Sequence, residues 1–153
     1  MVKEEILKEL RNAKAAHIQW LQRAKLLIKG FETEENFIPV DARACKFGCW
    51  FYGEAQNLSA LKNNPVESMR KVENLHNALH SMYLNIYKIY FSQDSQGFFS
   101  KLFGQKKKIT DESTKLAKEY FSKLEFISKN LLNEINRMER RILAISSEDI
   151  LKI

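Results

Sequence analysis

Across most of this chain apolar side chains recur at steps of three and four residues, a spacing that a helix presents on one face and a strand does not. In the first such stretch Ile6, Leu10, Ala13, His17, Trp20 (or Leu21), Ala24 and Leu27 form the stripe. Five glycines and two prolines leave little material for a turn-rich β architecture. The first helix is expected over about residues 2–29, with Gly30 as its C-terminal cap.

Three further segments carry the same period. One opens after Pro39-Val40 with Asp41 as N-cap and aligns Cys45, Gly48 (or Cys49), Tyr52 and Ala55. Gly48, one turn beyond Cys45, is expected to admit a close approach by a neighbouring helix, and Gly53 and Ser59-Ala60-Leu61 are expected to break this segment early. The third has Asn64 as cap, Pro65 at the first helical position and Glu67 at the third, and runs to about residue 91. Met69, Val72, His76, Leu79 (or His80), Tyr83, Ile86 (or Tyr87) and Tyr90 are its apolar positions.

Residues 92–109 form a connector, and a C-terminal helix follows over about 110–145. Tyr120 (or Phe121), Leu124, Ile127, Leu131, Ile135, Met138, Ile142 and Ile145 mark its inner face. That helix, with apolar positions continuing to Ile150 and Ile153, reads equally as a dimer seam or as a core helix with a frayed end. The expected fold is all-α, an antiparallel four-helix bundle with a long C-terminal helix, in a single domain spanning 1–153.

The balance of 44% apolar and 29% charged residues is that of a globular domain, and the +6 net charge is scattered among helix faces. The one dense basic run is Lys106-Lys107-Lys108, without base-reading residues beside it, so no nucleic-acid partner is expected. No stretch approaches the ~20 apolar residues that span a bilayer. Phe98–Phe103 with the lysines is read as closing the end of the bundle, so no membrane contact is expected. Met1-Val2-Lys3-Glu4-Glu5 lacks an apolar signal core, and two cysteines make no disulfide framework, so a cytoplasmic location is expected.

The chain has three histidines, all on apolar faces, and His76 and His80 stand one helical turn apart. His17 adds an imidazole from the first helix and Cys45 a thiolate from the second. Such a set suits Zn²⁺ over hard cations. A lone core histidine is usually just hydrogen-bonded, but three imidazoles and a thiol buried together without metal would leave several polar atoms in need of partners. The Glu-x-x-His pairs of a di-iron bundle are absent. Asn77 stands where a metalloprotease helix carries its glutamate, and four ligands leave no position for a reacting water, so the chain is read as not an enzyme.

Three motifs, His17-Ile18-Gln19-Trp20, Cys45-Lys46-Phe47-Gly48-Cys49-Trp50 and His76-Asn77-Ala78-Leu79-His80, together resemble the chemoreceptor zinc-binding domain family over about residues 10–90. The resemblance implies a helical bundle with a three-His, one-Cys zinc site at His17, Cys45, His76 and His80. Trp20, Phe47, Gly48 and Trp50 are expected to pack around it. Cys49 departs from the family pattern: it is read as an ordinary buried small residue, with replacement of Cys45 as ligand, or capture of an oxidised Cys45, as the alternatives.

The resemblance further implies a bacterial regulatory module, stand-alone or excised from a longer protein. Such a module senses zinc or oxidants as a homodimer and acts on a signalling partner such as a chemoreceptor or a diguanylate cyclase. The alternatives are a helical bundle in which zinc is only a structural staple for protein interaction, and a zinc-dependent enzyme.

Overall fold

The inward positions of the long helices follow an alternating three–four rhythm, and this rhythm fixes which face each helix buries. The computed structural model describes residues 2–35, 37–62, 66–91 and 109–153. They form α1 (Lys3–Ile28), α2 (Lys46–Tyr52), a 3₁₀ segment (Glu54–Ala60), α3 (Val66–Tyr90), α4 (Asp111–Leu143) and α5 (Ser147–Leu151), with no strand among them. The fold is all-helical with a long C-terminal helix. The expected cap Asn64-Pro65 and the connector with Phe98–Phe103 and Lys106–Lys108 lie outside the described residues.

α1 buries Ile6, Leu10, Ala13, His17, Ala24 and Leu27, and α3 buries Met69, Val72, His76, Leu79, Tyr83 and Ile86. α4 answers with Ala117, Phe121, Leu124, Ser128, Leu131, Ile135, Met138 and Ile142, and packs against both α1 and α3. The apolar seam of α4 is therefore satisfied inside one chain, as the core-helix reading required. Two inner positions differ from expectation: Ile145 lies beyond the end of α4 and is half-buried, and Ser128 points inward while Ile127 is only half-buried, because the step from Leu124 is four residues rather than three.

Polar contacts set the register. Lys3 Nζ donates to the carbonyls of Leu143 (2.9 Å) and Ile145 (2.6 Å). Arg11 reaches Glu139 at 2.7 Å, and Lys14 reaches Asn136 at 2.8 Å. Numbering rises along α1 as it falls along α4, so the two are antiparallel. α3 also opposes α4: Glu67 at its start lies in the field of Arg137 and Arg141, while Leu79 and Tyr83 share a small cavity with Leu124.

Local signals explain most helix ends. Gly30, at φ +88°, closes α1: its N–H donates to Leu27 O (3.0 Å) and the Phe31 N–H to Leu26 O (3.1 Å). This is a Schellman motif, whose left-handed residue suits glycine. Thr110 caps α4 by accepting the Ser113 N–H at 3.1 Å. α4 stops at Leu143, where the sequence reading continued apolar positions to Ile150 and Ile153. Ser146 instead starts α5 by accepting the Asp149 N–H at 3.1 Å, and Ile150 is fully buried.

The largest departure is in the second segment. Asp41 caps no helix; its side chain accepts the Arg43 N–H (2.9 Å) and its carbonyl the Ala44 N–H (3.1 Å), making a turn. α2 begins only at Lys46, with Cys45 as N-cap on extended backbone (φ −74°, ψ 153°). It ends before Gly53 and gives way to the 3₁₀ segment, the early break that Gly53 and Ser59–Leu61 foretold.

Candidate metal centre

His17 sits midway along α1, His76 and His80 one turn apart on α3, and Cys45 at the start of α2. All four are buried, none more than 2% exposed. One ring nitrogen from each of the three histidines lies within 4.8 Å of the others. That common group holds the imidazoles alone; the Cys45 sulfur approaches from the side of His76, 3.3 Å from its Nε2. His76 Nε2 and His80 Nε2 are 3.2 Å apart. Around a tetrahedral zinc, donor atoms stand about 3.3 Å apart for two nitrogens and about 3.6 Å for nitrogen and sulfur. The two observed separations match edges of such a polyhedron.

The outer nitrogens decide which atoms face inward. His17 Nδ1 is 2.6 Å from Ala13 O, and His80 Nδ1 is 2.7 Å from Pro39 O. A carbonyl can only accept, so in both rings the proton resides on Nδ1 and Nε2 presents a lone pair. His17 Nε2 is buried without any hydrogen-bond partner. A neutral imidazole nitrogen in that position is an orphan in a metal-free core but a ready metal ligand. The donor set present therefore fits zinc.

Electrostatics agree with this protonation. Burial pushes His17 down to about 4 and His76 down to about 3, with the neighbouring imidazoles adding to the effect, and burial also lowers His80. All three are neutral at physiological pH, as ligation demands. Burial raises the Cys45 thiol, opposed in part by the Gly48 and Phe47 N–H groups. The Gly48 N–H reaches the sulfur at 3.1 Å, and the thiol donates to Ala42 O at 3.3 Å.

The packing residues divide into those that touch the imidazoles and those that do not. Trp20 lies edge-on to His17 (centroids 4.7 Å apart) and to His80 (5.5 Å). Phe47 meets His76 at 5.1 Å and His17 at 5.8 Å. Trp50 stacks on Phe47 at 5.9 Å, one layer out. Gly48 admits a close approach, but by its own chain: a Cβ there would stand 1.9 Å from Ala42 O. Cys49 is exposed rather than buried, its thiol donating to Arg43 O at 3.3 Å, because its step along α2 turns it outward from the face holding Phe47 and Gly48.

Sequence reasoning missed the two carbonyls that orient the histidines. Ala13 O was legible in principle, being the carbonyl one turn before His17 in the same helix. Pro39 O was not, since it comes from an irregular segment. That segment is held down by Arg23 over the Phe37 ring (3.6 Å), by the Tyr87 hydroxyl donating to Glu35 at 2.5 Å, and by buried Ile38.

A helical scaffold carrying buried neutral imidazoles and a thiol at one level defines a metal-binding module. The chemoreceptor zinc-binding domain family model matches residues 17–87, the stretch that runs from His17 past His80. The domain binds zinc, and the three histidines are close enough to hold the ion. No curated protein and no solved structure gives a match. Among the described residues no helix is long and apolar enough to cross a membrane.

Proposed function

We propose that His17, Cys45, His76 and His80 hold one Zn²⁺ as a closed N₃S site, and that the chain is a sensory module whose zinc or thiol state is passed to a signalling partner. The observation carrying this reading is the inward-facing, partnerless His17 Nε2 beside His76, His80 and the Cys45 sulfur in the buried interior. Bound there, zinc cross-links α1, α3 and the start of α2 and keeps the sulfur as thiolate. Four protein donors leave no position for a substrate water, which favours regulation over catalysis.

Cys45 is the redox-active member of the set. A peroxide would transfer one oxygen to its sulfur, giving the sulfenic acid and water, and so weaken the ligand. The exposed Cys49 thiol is the candidate to condense with that sulfenic acid, releasing a second water as the disulfide forms. In this reading α1, the α2–3₁₀ segment, α3 and α4 act as the members of an antiparallel four-helix bundle over residues 1–153. The module works in the cytoplasm as a homodimer upon a chemoreceptor or diguanylate cyclase.

Protein purified without added zinc is expected to contain about one zinc per chain, and Cys45→Ala and His80→Ala to lose most of it. A cobalt-substituted sample is expected to show tetrahedral absorption with a sulfur-to-metal band. Absence of metal in the parent, or retention in both variants, sinks the site. A purely structural zinc is the second reading, favoured by how deeply the donors are buried. It predicts that chelator and peroxide leave partner output unchanged.

A further inference from the structure

Two of the three histidines have their Nδ1 proton placed on a carbonyl of this chain, and the third does not. His76 Nδ1 is fully buried with no partner, although its Nε2 faces Cys45 and His80. A histidine that binds metal through Nε2 carries its proton on Nδ1, and that proton almost always has an acceptor. Ser128 Oγ on α4 is also buried without a partner, in a residue only 1% exposed. The antiparallel register brings the two to one level. Glu67 lies in the field of Arg137 and Arg141, and nine residues onward along α3 is His76, while nine residues back along α4 spans 128–132. Leu79, three residues past His76, shares a cavity with Leu124, four before Ser128. The other orphan on α4, Glu134 Oε1, lies nearly two turns away, beside Arg137.

Resting on the ligand assignment above, we propose that Ser128 is a positioning residue for His76, taking its Nδ1–H across one buried water and so fixing the imidazole for the metal. Buried waters typically satisfy such pairs of otherwise unpartnered polar groups. A hydroxyl is small enough for an inward position of α4 and can both donate and accept, as such a water requires. The consequence is that α4, outside the matched stretch 17–87, feels the state of the zinc site directly.

The test compares the full-length parent, Ser128→Ala, Ser128→Thr and His76→Ala in competition with a chromophoric zinc chelator. Ser128→Ala is expected to weaken zinc binding 10–100-fold, and Ser128→Thr, which keeps the hydroxyl, to stay within about threefold. In the zinc-loaded parent the His76 Nδ1–H should give a slowly exchanging proton resonance that Ser128→Ala abolishes. The metal-free Ser128→Ala protein should melt no lower than the metal-free parent, since an orphaned hydroxyl is removed. Zinc affinity within threefold in Ser128→Ala with the resonance retained overturns the proposal, and so does a lowered metal-free melting point that accounts for the whole loss. A parent that binds no zinc, or unchanged binding in His76→Ala, overturns instead the ligand assignment beneath it.

Discussion

The core has two ends built from the same helices but lined differently. Where the start of α1 meets the end of α4, Ile6, Leu10, Ile135, Met138, Ile142 and Ile150 are each 0% exposed. The rim there is tied by Lys3, Arg11 and Lys14. Two to three turns along, the equivalent inward positions hold His17, His76 and Ser128, and three of the four partnerless buried polar atoms among the described residues belong to them. The first end is almost wholly apolar, its one partnerless buried atom being Glu134 Oε1, on a carboxylate whose other oxygen faces Arg137 at 3.5 Å. The second carries groups whose burial opposes folding until something engages them. Stability is therefore concentrated at one end and responsiveness at the other.

Acid offers the largest contrast. With chelator present, stability should fall steeply as pH drops from about 6.5, the ordinary histidine value, because the folded forms of His17 and His76 titrate only near about 4 and about 3. The unfolded chain takes up protons in that window and the folded chain does not, so stability rises with pH through it. Denaturant titrations at pH 7 and pH 5 check this, and a His17→Leu/His76→Leu double variant should flatten the dependence.

Next in size, Ile135→Ala should cost about 2–5 kcal/mol, as for other fully buried aliphatics. The cost should be the same with and without zinc; a difference beyond about 1 kcal/mol would show that the two ends are not separable. Gly48→Ala should cost about 1–3 kcal/mol and also weaken zinc binding, because the new methyl would displace the Ala42 carbonyl and with it the turn leading into Cys45. Smallest, Arg11→Ala should cost under about 1 kcal/mol. The Arg11 side chain is 59% exposed, and Glu139 keeps Lys14 as partner.

The long helices and the histidine cluster were legible because both follow from spacing along a single helix. Periodicity alone placed His17 and His76 inward, and the one-turn step brought His80 with them. Ser128 was hidden because an apolar neighbour, Ile127, looked the better inward residue, though the four-step from Leu124 pointed to the serine. The start of α2 was misplaced because Asp41 carries an N-cap side chain and spends it on a turn four residues early. Ser146 with Asp149 three residues later was a readable start signal for α5, overridden by the apolar positions beyond it. Pro39 O had no signature at all, since a backbone acceptor in a loop leaves no mark in side-chain pattern.

Cys45 stands on extended backbone where a loop hands over to a short helix, whereas His17, His76 and His80 ride on rods of 25 residues or more. Chemistry at the sulfur therefore acts first on the stretch leading into Cys45, where Phe37 leans on Arg23 of one rod and Glu35 on Tyr87 of another, and it meets a rod directly only at His76, 3.3 Å away. The thiol behaves as the latch of a strap rather than a bolt through a beam, and loosening it would slacken the strap before it bent either beam.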